Sequence, residues 1–151
     1  MSNSASSFET IGIVGAGAWG TALATVAQRA GCTVILQAHE PEVAEAINRD
    51  HQNQTFLPDI ALDPAIKAVT DPRDAAAADA VLLVTPAQHL RAVTKSLAGV
   101  WRKGQPVVIC SKGIEQESGA LMSEIVAETL PEAAVAILSG PTFAAEVALG
   151  M

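Results

Sequence analysis

The 151-residue sequence predicts an α/β domain built on a doubly wound parallel sheet, and three observations carry that expectation. Short apolar runs rich in valine, isoleucine and leucine alternate with alanine-rich stretches of helical spacing along the chain, the pattern of a parallel sheet covered on both faces. Gly15, Gly17 and Gly20 stand at G-x-G-x-x-G spacing between the first such run and the first helical stretch, the context in which that spacing is informative. Half of the residues are apolar and only 3% are aromatic, so small aliphatic side chains must fill the core.

The elements follow in order. Ile11, Ile13 and Val14 predict a first buried strand. Trp19, Leu23, Val26, Ala27 and Ala30 recur at steps of three and four, which predicts a helix with one buried face, and Gly31 supplies a left-handed C-terminal cap. Thr33 to Ala38 is the second strand, and Pro41 opens a helix to about Asn48. Arg49 to Asp63, polar except for an embedded Phe56-Leu57-Pro58, is expected to be an irregular, functional or mobile loop. Ile66 to Thr70 is a third strand, and Asp71-Pro72 caps and starts a short helix. Ala80 to Thr85 is a fourth strand, and Pro86 starts a helix carrying Leu90, Val93 and Leu97 on one face. Pro106 to Cys110 is the fifth strand, Leu121 to Leu130 a helix, Val135 to Leu138 the sixth strand, and Phe143 to Leu149 a last helix. Strands alternating with helices in this way define the Rossmann arrangement. One domain is expected over 9–151, preceded by a frayed polar tail over 1–8.

Composition narrows the function. A net charge of −7 with no basic cluster longer than Arg102-Lys103 argues against nucleic-acid or membrane-surface binding. No run reaches the roughly 18 apolar residues of a membrane span, and the start of the chain lacks the apolar core of a signal peptide. Cys32 and Cys110 read as reduced thiols of a cytoplasmic protein. The histidines and cysteines show no metal-ligand spacing, so no metal site is expected.

In such sheets ligands bind beyond the carboxyl ends of the strands, where five loops fall: 15–20, 39–40, 85–89, 111–113 and 139–142. In the first, Gly15 permits the turn, Gly17 lets the backbone approach a pyrophosphate, and Gly20 lets helix and strand pack. The helix start then offers N–H groups to the phosphates. Trp19 either shields the pyrophosphate or packs under the helix. Glu40 lies about twenty residues after the last glycine, where a ribose-binding acid is expected. It reads equally as a helix-start carboxylate, and NAD and NADP both remain open. Lys112 is held at the mouth of the sheet, where its ammonium either meets a substrate oxygen or phosphate or is a solvated loop charge. Ser139 to Thr142 presents N–H groups and a hydroxyl, or is a plain turn.

Together GAGAWGTALA (Gly15–Ala24), FLP (Phe56–Pro58), VTPAQ (Val84–Gln88), CSKGIE (Cys110–Glu115) and SGPTFAAEVA (Ser139–Ala148) resemble the N-terminal half of the bacterial NAD(P)-dependent glycerol-3-phosphate dehydrogenases. The resemblance implies that Ala18, Trp19 and His39 contact the nucleotide alongside Gly15, Gly17 and Gly20. It implies that Lys112 meets both cofactor and glycerol 3-phosphate, that Gly140 and Thr142 line the substrate site, and that Ala144 faces the cofactor. The family usually has serine at the position of Ala18 and, in many members, arginine at that of His39, so a hydroxyl contact is absent and no strong preference for a 2′-phosphate is implied. The implied reaction is hydride transfer between NAD(P)H and dihydroxyacetone phosphate, giving sn-glycerol 3-phosphate for phospholipid synthesis. The proton donor, a lysine of a helical C-terminal domain, is expected outside this chain, which leaves no catalytic residue within it. Alone, the chain is then expected to be a dinucleotide-binding module without useful turnover, and the helix from Phe143 is expected to expose an apolar face through which it self-associates, with a homodimer as one outcome. The other readings are the cofactor domain of a ketopantoate reductase or of a 6-phosphogluconate-type dehydrogenase; S-K-G and S-G-P-T-F favour glycerol 3-phosphate.

Overall fold

The computed structural model describes residues 8–139 and 143–150. The expected tail lies, except for Phe8, outside the described residues. Strand β1 (Thr10–Val14) runs into α1 (Ala18–Arg29), β2 (Thr33–Gln37) and α2 (Pro41–Asp50). Two further strands, β3 (Gln52–Asn53) and β4 (Leu57–Ala61), precede β5 (Lys67–Val69), α3 (Pro72–Ala76) and β6 (Ala80–Leu83). Then come α4 (Leu90–Leu97), β7 (Pro106–Ile109), α5 (Met122–Thr129), β8 (Ala134–Ile137) and α6 (Ala144–Ala148).

Six strands form one sheet in the order β5-β2-β1-β6-β7-β8, each neighbouring pair parallel. The order reverses between β1 and β6, and a crevice opens there beyond the strand ends. Alternate residues of each strand feed opposite faces. Ile13, Val34 and Leu36 join Leu23 of α1 and Val43 and Ile47 of α2 in one core. Val14, Val81, Leu83, Val107 and Ile109 join Leu90 and Leu97 of α4 and Ile125 and Val126 of α5 in the other. Each fully buried leucine or isoleucine stabilises the fold by about 1.5–3 kcal/mol.

Helix α1 ends as its sequence predicts. Gly31 (φ +94) donates to Gln28 O at 3.0 Å and Cys32 N–H to Ala27 O at 3.1 Å, a Schellman cap. Its buried face differs from the single stripe expected. Val26 is exposed and Thr21, Ala22, Ala24 and Thr25 are buried, because the sheet covers one side while Leu57 and Ala148 cover another. Two boundaries also shift. After Pro86 the chain makes a 3₁₀ turn (Ala87–His89) before α4, and Phe143 is the N-cap of α6 rather than its first turn.

The stretch expected to be irregular is the last turn of α2 followed by a hairpin, with Gln52 opposite Ala61 and Asn53 opposite Leu57. Leu62 N–H donates to His51 O at 2.9 Å and closes its base. One arm has two residues and the other carries Pro58 and, at φ 64, Asp59, so no alternation marks these strands. Packing of Leu57 against Ala22 and Ala148 holds the hairpin in place.

Candidate dinucleotide site

The glycine loop sits at the reversal point. Gly15 has φ +114, and a Cβ there would lie 2.9 Å from the Val84 carbonyl, so β1 and the end of β6 meet through bare backbone. At Gly20 a Cβ would overlap the Gly15 carbonyl oxygen. Gly17 differs from both: it is the N-cap of α1 in an extended conformation, and among the described residues no atom beyond its chain neighbours lies within 4 Å of a Cβ built there. Among the described residues no side chain caps α1, and its first turn holds no acidic residue. The helix N-terminus therefore presents N–H groups and partial positive charge without an internal anion. This is an environment into which a pyrophosphate fits.

The expected site residues fall into two adjoining cavities. The larger, about 540 Å³, is lined by Gly15, Ala16 and Gly17, by Gln37, His39 and Glu40 at the end of β2, by Phe56 of the hairpin, and by Thr85, Pro86, His89, Ala92, Val93 and Ser96. The smaller, about 380 Å³, is lined by Ala18, Trp19, Val84, Thr85, Pro86, Ala87, Cys110, Ser111, Lys112 and Ala144. Thr85 and Pro86 belong to both and form the shared wall. Trp19 is half-buried and packs against the core while lining the smaller cavity. Gly20 lies under the loop and lines neither cavity. Gly140 and Thr142 lie outside the described residues.

Several lining residues carry no individual role in the sequence reading. Gln37 is buried because its Nε2 donates to Thr70 O at 2.9 Å. Phe56 reaches the groove only because the hairpin folds back on α1. The signals for it were an aromatic ring in an otherwise polar stretch and its place in the Phe56-Leu57-Pro58 motif.

The loop carrying Lys112 is fastened to the 3₁₀ turn and to α4. Gln88 Nε2 donates to Ile114 O at 3.0 Å, and Gln116 N–H donates to Gln88 Oε1 at 2.9 Å. Glu115, 7% exposed, accepts from Arg91 Nε at 2.9 and 3.1 Å and from Ser118 Oγ at 2.6 Å. Arg91 Nη1 also donates to Glu128 Oε2 of α5 at 2.7 Å. Ser111 Oγ donates to Thr85 O at 2.5 Å. The guanidinium of Arg91 and then the Ser118 hydroxyl hold the Glu115 carboxyl below its ordinary 4.5. A carboxylate depressed on folding contributes stability that is complete above its unfolded value and lost as pH falls through its folded one. Thermal melts of the wild type between pH 7 and pH 3 should therefore show an acid limb that Glu115→Gln flattens. Parallel limbs in the two proteins would show that the pair contributes nothing to the pH dependence.

Burial raises the Cys110 thiol to about 11, so it is protonated and unreactive where it lines the smaller cavity. No group of three potential metal ligands occurs among the described residues, and no described helix is long and apolar enough to cross a membrane.

A parallel sheet ordered in this way, with a glycine turn and an uncapped helix start at its reversal point, defines the Rossmann class of nucleotide-binding domains. Within that class the chain belongs to the family described as NAD-dependent glycerol-3-phosphate dehydrogenase N-terminus, whose model matches residues 10–151. It is 60% identical over 141 residues to the glycerol-3-phosphate dehydrogenase [NAD(P)+] of Paramagnetospirillum magneticum, covering 93% of this chain and 51% of that protein. The crystal structure of glycerol-3-phosphate dehydrogenase from Coxiella burnetii superposes with a TM-score of 0.88 at 30% identity, over 95% of this chain and 44% of that one. A ketopantoate reductase from Ralstonia eutropha is more distant, with a TM-score of 0.66 at 25% identity over 85% of this chain and 40% of that one. The chain thus spans about half the length of the curated relatives it matches.

Proposed function

We propose that this chain is the cofactor-binding part of an enzyme that interconverts dihydroxyacetone phosphate and sn-glycerol 3-phosphate with NAD(H) or NADP(H). The observation that carries this reading is the uncapped start of α1 beside two cavities that share Thr85 and Pro86, one lined by the glycine loop and the end of β2 and the other by Trp19 and Lys112. Gly17 and Ala18 would hold the pyrophosphate through backbone N–H groups, and His39 and Glu40 would meet the adenosine ribose. Trp19, Thr85, Pro86 and Ala144 would enclose the other end and exclude water from it. The cofactor, when bound, supplies or accepts the hydride. Lys112 would orient the substrate by placing a cation against its oxygens, with Gly140 and Thr142 as further substrate contacts.

The remaining half of the relatives' length would bring the proton donor. We place it against β8 and α6, where Ile137 is 66% and Phe143 75% exposed. Left uncovered, a face this apolar would favour self-association, a homodimer included. The two cysteines are unpaired, as in the reducing cytoplasm.

Trp19 provides the test. In a Trp101→Phe chain, titration with NADH or NADPH should change the tryptophan emission in a saturable way, and the two curves report the cofactor preference. A chain that retains Trp101 and carries Trp19→Phe should stay silent, because Trp101 packs in the core on the other face. A response confined to Trp101 would overturn the placement of the cofactor.

A further inference from the structure

We propose that Asn53, in the hairpin after α2, is a positioning residue that sets the direction of the Gly17 N–H and so prepares the glycine loop for phosphate; this rests on the proposed dinucleotide function. Asn53 is 1% exposed, and its amide bridges the glycine loop, α1 and the hairpin through three hydrogen bonds. Its Nδ2 donates to Ala16 O at 2.9 Å and to Thr21 Oγ1 at 2.8 Å. Its Oδ1 accepts from Phe56 N–H at 3.3 Å within the hairpin. Ala16 precedes the N-cap, so its carbonyl stands outside the regular helical ladder. Without Asn53 its remaining partner among the described residues would be the Thr21 hydroxyl, at 3.4 Å.

The consequence follows from peptide geometry. In a trans peptide the C=O and the next N–H point in opposite directions. Drawing the Ala16 carbonyl inward onto Asn53 turns the Gly17 N–H the other way, toward the groove that Gly17 lines. The same amide ties that peptide plane to Phe56, another wall of the groove. A donor held in place before the ligand arrives need not be ordered on binding. Asn53 thus acts through the loop and need not touch the ligand.

The test uses the 151-residue chain with Asn53→Ala and Asn53→Asp, titrated with NADH and with adenosine, which lacks phosphate. Asn53→Asp keeps the acceptor for Phe56 N–H and the side-chain shape, and so tests the donated bonds if Asn53→Ala does not fold. NADH affinity should fall about tenfold, the size of one well-placed hydrogen bond, while adenosine affinity stays within about twofold. Equal losses on both ligands, or wild-type NADH affinity in either folded variant, would overturn the role of Asn53 and leave the dinucleotide function standing. A wild-type chain that binds no NADH would overturn both. In the wild type, ¹⁵N spectra should show the Gly17 amide and the Asn53 side-chain amide moving together on NADH addition. Movement of Gly17 with Asn53 unchanged would also overturn the proposal.

Discussion

Gly17→Val should leave the chain folded and abolish NADH binding, while Gly20→Val should prevent folding. The two glycines are three residues apart and look equivalent as letters. At Gly20 a side chain would overlap the Gly15 carbonyl oxygen, which is backbone and cannot rotate away. Overpacking against flexible neighbours costs about 1–3 kcal/mol. Against a rigid turn the loss should exceed that and consume much of the 5–15 kcal/mol that holds a typical domain together. At Gly17 the backbone is already extended, with φ −70, and among the described residues no atom beyond its chain neighbours lies within 4 Å of a Cβ. Its side chain would instead occupy the space proposed for the pyrophosphate. Circular dichroism melts should place Gly17→Val within a few degrees of wild type, and calorimetry should find at least a hundredfold loss of NADH affinity, about 2.7 kcal/mol. Retained binding in the folded variant would remove the pyrophosphate from this loop.

Lys112→Ala should act on turnover and hardly at all on stability. The side chain is exposed and lines the smaller cavity, and the loop that carries it is also fastened by Gln88 at Ile114 and Gln116 and by Arg91 at Glu115. Truncating Lys112 leaves these bonds in place. In a chimera joining this chain to the remaining half of the Paramagnetospirillum magneticum relative, kcat/KM for dihydroxyacetone phosphate should fall about a hundredfold or more, near 3 kcal/mol of transition-state stabilisation. The melting temperature should stay unchanged. Loss of stability with intact turnover would make Lys112 a structural loop residue.

The architecture was legible in the sequence because its causes are local. Apolar runs of strand length, alanine-rich helical spacing, Gly31 as a cap and Asp71-Pro72 as a helix start each express a preference that acts over a few residues. The alternation of strands and helices then leaves few ways to close the sheet. The glycine spacing marked the turn from β1 into α1 for the same reason.

What remained for the tertiary structure depends on residues far apart in the chain. The hairpin at 52–61 has no strand periodicity and exists because Leu57 packs on Ala22 and Ala148 and Asn53 reaches Ala16. At Gly12, within the apolar first strand, a Cβ would overlap the Ala75 carbonyl oxygen, where α3 packs directly on β1. The pairing of Arg91 with Glu115 joins side chains 24 positions apart. The division of the expected site residues between two cavities that share Thr85 and Pro86 arises only when β1 and β6 lie side by side. By itself the sequence determined the fold class and the place of the glycine turn between β1 and α1, since both follow from short-range preferences. Which side chains brace that loop and wall its groove was decided by packing, since contacts between distant residues leave no periodic trace in the chain.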